Sequence, residues 1–203
     1  MSSIIGHSCA GIIIKNLVKT NITKTKNRSL IGLLIVLALL PDIDVVLLLL
    51  FKSSVNITHR GVTHGFLFIF ITACIFTIMF ERYFDISKFK IFAVFLSALL
   101  SHLILDYLMG AGPPVTIFAP FSYTGFLAPV KLVPCAFYPT SIKSIFQLLT
   151  YPPAVVGYCL EVLIFFPIII FLKNQKSIFS NVILFAIFIF SLTITYVIYN
   201  GTI

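Results

Sequence analysis

Five stretches of this 203-residue chain stay apolar for about the length that a membrane crossing requires. Residues 30–51, 62–80, 89–109 and 178–199 carry few polar groups, and 153–172 is interrupted by a single acid, Glu161. A helix needs about 20 such residues to span about 30 Å of hydrocarbon. The expected fold is therefore all-α: a polytopic membrane helix bundle of five or six membrane helices, forming one integral membrane domain over 1–203. The sixth helix would come from residues 3–18, a shorter amphipathic stretch that inserts only partly. A composition of 60% hydrophobic and 10% charged residues, with mean hydropathy +1.12, agrees with this class.

The formal net charge of +8 is not a nucleic-acid signature here, because basic residues in such a chain report topology. If the loop holding Lys15, Lys19, Lys24, Lys26 and Arg28 is cytoplasmic, then Arg82, Lys88, Lys90, Lys173 and Lys176 are inside as well. Lys52, Arg60, Lys131 and Lys143 are left outside, so ten positives face four. The N-terminus lacks the early basic residue of a signal peptide, and its apolar stretch is broken by His7 and Ser8. Cys9, Cys74, Cys135 and Cys159 have no CxxC spacing and read as small core residues. Residues 110–152, rich in Gly, Pro and aromatics, are too long for a plain connector and are expected to fold over one face as a lid, a re-entrant element or both.

All four histidines and three of the six carboxylates fall in short clusters. They are His7 in GHSCAG, Asp42 and Asp44 in PDID, His59 and His64 in HRGVTH, and His102 and Asp106 in SHLILD. An aspartate at the bilayer centre costs about 2.5–3.5 kcal/mol, so three without partners would cost about 8–10 kcal/mol, comparable to the net stability of a domain. Something must offset that cost, and His mixed with Asp is what a borderline divalent metal accepts. Under the topology above, all the clusters lie at similar depth near the outer face.

His102 and Asp106, four apart on a helical run, point from one face. They suit two ligands of one ion or a ligand with its carboxylate orienter, or equally a hydrogen-bonded pair that packs helices. His59 and His64 are too far round to share a helical face. Gly61 would mark the turn between them, with Thr58 or Thr63 capping the next helix. Arg60 offers a planar fork suited to a phosphate or carboxylate, or an anchor at the interface. Pro41 should kink or break its helix, and local unwinding would let Asp42 and Asp44 reach one centre. Asp42 as an N-cap would explain one aspartate but not both. Glu161, the last intramembrane acid, is a further candidate ligand, with a histidine or Lys143 as alternative partners. Glu81 and Asp85 read as solvated loop charges.

The ordered series GHSCAG, PDID, HRGVTH, SHLILDYL and then APFS at 119–122 resembles the predicted membrane-bound metal-dependent hydrolases of bacteria and archaea, also described as LexA-binding, inner-membrane-associated hydrolases. The resemblance covers residues 6–125, with a looser match through the last two spans. It implies the bacterial inner membrane, and metal or catalytic roles for His7, Asp42, Asp44, His59, His64, His102 and Asp106. Gly65 stands where that pattern leads one to expect a small hydroxyl residue, which speaks against a serine nucleophile there but not against a metal.

The expected function is hydrolysis of a lipid or other membrane-associated substrate, most simply a phosphoester, by metal-activated water. One or two divalent ions would serve, zinc first, with manganese or magnesium as alternatives. Asp44 or Asp106 would accept the proton and Arg60 would hold the phosphate. Zinc-dependent phospholipases C offer an analogy of ligand type. The rivals are a lipid amidase resembling alkaline ceramidases and a non-catalytic metal-ion or proton carrier. The expected partners are the bilayer and its lipids, with no nucleic acid; the residues specify no oligomeric state.

Overall fold

A computed structural model of the chain describes residues 4–50, 59–134, 150–173 and 178–201. Seven α-helices lie among them: α1 (Ile4–Leu17), α2 (Lys24–Leu39), α3 (Ile43–Leu50), α4 (Phe66–Phe84), α5 (Lys88–Leu108), α6 (Pro152–Lys173) and α7 (Ile178–Asn200). Five spans are long and apolar enough to cross a membrane, because α2 and α3 run on as one span over Lys24–Leu48. With α1 as a shorter sixth helix, the architecture is the expected all-α bundle.

The helices form where local chemistry allows. Thr23 caps α2 by accepting the Lys26 N–H at 3.3 Å. Pro41 has no N–H to give, so the chain tightens into a 3-10 turn over Leu40–Asp42 before α3 resumes. The break at PDID is thus a change of pitch inside one span. α4 starts later than the apolar run beginning at residue 62, because Val62–His64 form another 3-10 turn and Gly65 is extended. No side chain caps α4: the Thr63 hydroxyl points elsewhere, and Thr58 lies outside the described residues.

α5 sits at the centre, packed against α1, α2 and α4. Its buried stripe runs through Ile91, Phe95, Ala98 and Leu99, then continues into His102 and Asp106. The same face that buries the helix therefore carries the polar pair. Leu30, Leu34 and Leu37 of α2, with Ile69 and Ala73 of α4, complete that core. A second cluster joins Ala10 of α1, Leu105 of α5 and Ile164 and Phe165 of α6. α1 can approach α2 closely because Gly11 has no side chain; a Cβ there would stand 2.9 Å from the Leu34 carbonyl oxygen. α7 packs on α6 and leaves most of its apolar surface outward, as a lipid-facing helix should.

The described part of the long connection, 110–134, is held on the end of α5. Ala128 N–H donates to Tyr107 O at 3.1 Å and Leu132 N–H to Leu108 O at 2.9 Å. Asn200 at the end of α7 grips Lys131, accepting its N–H at 2.9 Å and donating to its carbonyl at 2.8 Å.

Candidate metal centre

The four histidines converge. His102 comes from the inner stripe of α5, and its Nδ1 lies 2.8 Å from the Ala38 carbonyl oxygen. A carbonyl can only accept, so Nδ1 carries the proton and Nε2 turns a lone pair into the cluster. His64 ends the 3-10 turn before α4. Its Nε2 lies 3.1 Å from His102 Nε2, 3.6 Å from Asp42 Oδ1 and 3.5 Å from Asp106 Oδ2. His102 Nε2 lies 3.4 Å from Asp42 Oδ1 and 3.7 Å from Asp106 Oδ2. Four ligand atoms thus face one point, and three of their residues are fully buried; the Asp42 side chain is 12% exposed.

These spacings test the fit to an ion. A tetrahedral ion with bonds of about 2.0–2.2 Å places its ligand atoms about 3.3–3.6 Å apart. The five separations above run from 3.1 to 3.7 Å. Asp42 Oδ1 is buried and accepts no hydrogen bond among the described residues. Asp42, His64, His102 and Asp106 can therefore hold a metal ion.

A second triad, Asp44, His59 and His64, adjoins the first. Asp44 differs from Asp42 in being well supplied with donors. Its Oδ1 meets His59 Nδ1 at 3.1 Å, and its Oδ2 accepts the Arg60 backbone N–H at 3.0 Å and the Thr63 hydroxyl at 3.1 Å. Thr63 Oγ1 also lies 3.1 Å from His64 Nδ1. Asp44 thereby fixes the whole HRGVTH turn. The left-handed residue of that turn is Arg60, with φ 64°, rather than Gly61.

Arg60 is fully buried and its fork faces inward. Nε meets Asp106 Oδ2 at 2.9 Å, while Nη1 donates to the carbonyls of Ala111 and Pro113. Its own carbonyl accepts the Thr116 hydroxyl at 2.7 Å. The side chain thus ties a candidate ligand to the following loop, in place of the outward clamp expected from sequence. Gly65 lies against that same loop: a Cβ there would collide with the Ala119 carbonyl oxygen. The family position that suggests a hydroxyl residue has no room for one here.

His7 reaches the group from α1. Its ring stacks on His102 with centroids 3.8 Å apart and planes 11° apart, and Nε2 lies 3.6 Å from Asp106 Oδ1. Glu161 does not join either group; its carboxylate accepts the Gly6 N–H at 3.1 Å, and Lys143 lies outside the described residues. Burial opposes charge on His64, but the Asp106 and Asp42 carboxylates outweigh it and raise its pKa to about 9 without metal.

The chain has counterparts among known proteins. The family model described as YdjM inner membrane protein matches residues 1–201. The chain belongs to the YdjM inner membrane protein family. A relative, Inner membrane protein YbcI of Escherichia coli (strain K12), is 34% identical over 106 residues, covering 50% of this chain and 60% of YbcI. No solved structure matches. The YdjM assignment and the apolar helices together make this an integral protein of the inner membrane. Both names give a location and no activity.

Two contributors to the site carried no sequence signal, and a third was read for another role. The Ala38 and Pro113 carbonyls are backbone atoms, and Thr63 read as a helix cap. The adjacency of Thr63 to His64 was its one available clue.

Proposed function

We propose that this inner-membrane protein is a metal-dependent hydrolase of a lipid or membrane-associated substrate, with one divalent ion held by Asp42, His64, His102 and Asp106. The observation that supports the metal is the near-tetrahedral spacing of those four ligand atoms within an apolar bundle; hydrolysis further requires that the ion expand to a fifth position, or release one carboxylate, to take up water. Charge balance favours one ion over two. Asp42, Asp44 and Asp106 contribute three negative charges and Arg60 one positive, so a single dication with neutral histidines brings the site to zero. A second dication would leave an excess charge of two in a low-dielectric interior. Zinc suits an N2O2 tetrahedron; manganese or magnesium would need further oxygen ligands.

When bound, such an ion supplies Lewis acidity and draws the pKa of water towards about 7. The chain's own residues divide the remaining work. Asp44 Oδ1 accepts a hydrogen bond from His59 Nδ1–H, which leaves Nε2 as that ring's lone-pair nitrogen. His59, at 9% exposed, and Asp42 are the members nearest the surface, so substrate approaches from their side. Arg60 and His7 hold Asp106 in place. Since the donors of Arg60 are turned to the protein, the case for a phosphoester weakens and the lipid amide becomes the alternative to compare.

The test uses purified protein in detergent, stripped with chelator and reloaded with zinc, on phospholipid and N-acyl lipid substrates. Parent protein should release product from one class, and Asp42→Asn and His102→Ala should not. A zinc-loaded parent that turns over neither class would count against hydrolysis and favour a structural or transported ion.

A further inference from the structure

We propose that Glu161 is the positioning residue for His7, and that it acts by anchoring the first turn of α1; the inference rests on the metal reading above. Glu161 is fully buried in α6, where an acid demands a reason. Its Oε2 accepts the N–H of Gly6, a residue 155 positions away in the chain. Gly6 lies in the first turn of α1, whose N–H groups have no intrahelical acceptor. A carboxylate at the positive end of a helix is the favourable sign. The anchored residue directly precedes His7.

His7 in turn lies flat on His102 and beside Asp106, two of the four ligands. Glu161 therefore sets the axial position of α1, and α1 sets the height at which the His7 ring meets the ligand rings. The fit at Gly6 is close: a Cβ there would stand 3.2 Å from the Glu161 carboxyl carbon. The hydrogen bond and the close contact both join the Glu161 carboxylate to Gly6. Glu161 influences the metal without touching it.

A double-mutant cycle separates this role from general stabilisation. The zinc dissociation constant of full-length protein in detergent is measured by chelator competition for parent, Glu161→Ala, His7→Ala and the double variant. Loss of an orienting partner weakens metal binding by about 10–100-fold, and each single variant should fall in or near that range. The double variant should bind no more weakly than His7→Ala alone. Glu161→Gln keeps an oxygen acceptor for Gly6 and should recover most of the affinity. Gly6→Ala, a milder change, should weaken binding in the parent but not in the His7→Ala background. Equal losses from Glu161→Ala in both backgrounds would overturn the proposal, as would an unchanged constant in Glu161→Ala. Either result leaves the metal site standing, whereas a parent that binds no zinc overturns both.

Discussion

Replacing Arg60 by Lys separates two roles for the buried guanidinium. The parent side chain makes an ion pair to Asp106, two hydrogen bonds to the carbonyls of Ala111 and Pro113, and a weak one to Met109 Sδ at 4.0 Å. An ammonium on a flexible stem can keep the ion pair but cannot span the three oxygen acceptors with the geometry of the fork. Two charge-assisted hydrogen bonds are lost, at about 1.5 kcal/mol each on the lower side of their range, or about 3 kcal/mol together. A full deletion such as Arg60→Met would be worse, because it also removes the ion pair and leaves His64 as the cationic neighbour of the buried Asp106, at about 3 kcal/mol or more. The assay is thermal unfolding of the metal-free protein in detergent, paired with hydrogen exchange of residues 110–116. Arg60→Lys should unfold at a lower temperature than parent and exchange faster in that loop, before any substrate is present. Metal-free Arg60→Lys that unfolds with the parent and shows parental exchange would refute the inward role and restore Arg60 as a substrate clamp.

Other perturbations reach different parts of the centre. Gly65→Ala drives a methyl group into the Ala119 carbonyl, so overpacking should cost about 1–3 kcal/mol in thermal unfolding and weaken metal binding through the adjacent His64; an unchanged melting curve would contradict the close approach. His64 has its metal-free pKa raised to about 9 against an ordinary 6.5, because the carboxylates of Asp106 and Asp42 outweigh burial. Its stabilising contribution to the metal-free fold is therefore complete below pH 6.5 and fades as pH rises through about 9. The proton competes with the metal for Nε2, so zinc affinity should rise with pH across that window, by at most about tenfold per unit; an affinity flat from pH 6.5 to 9 would be inconsistent with that competition. Thr63→Val removes a donor to Asp44 and a contact of His64 Nδ1, and should loosen the zinc site while the bundle stays inserted, measured by competition titration alongside circular dichroism.

The bundle was legible because hydropathy over some twenty residues reports membrane crossing whatever the neighbours do. HxxxD was legible for a similar reason: helical spacing alone puts His102 and Asp106 on one face. The convergence of His7, His59, His64 and His102 also followed from the sequence, through the depth of each cluster. Contacts made by the backbone were hidden. Nothing in the letters marks the Ala38 carbonyl as the acceptor that sets the His102 tautomer, or the Ala119 carbonyl as the reason for Gly65. Local rules misled where tertiary contacts outweighed them. Thr63 looks like a cap but serves Asp44, and the turn at HRGVTH places its positive φ on Arg60 although a glycine follows. Glu161 read as one candidate ligand among several possible partners because an intramembrane acid needs one, and it accepts a hydrogen bond from the Gly6 N–H at a helix terminus.

The most direct test of the central claim is elemental analysis of detergent-purified protein after zinc reloading and removal of excess metal. One zinc per chain is expected in the parent, with near-complete loss in Asp42→Asn and in His102→Ala while both variants remain helical and membrane-inserted. Two ions per chain, or one ion retained equally by both variants, would contradict a single centre held by Asp42, His64, His102 and Asp106.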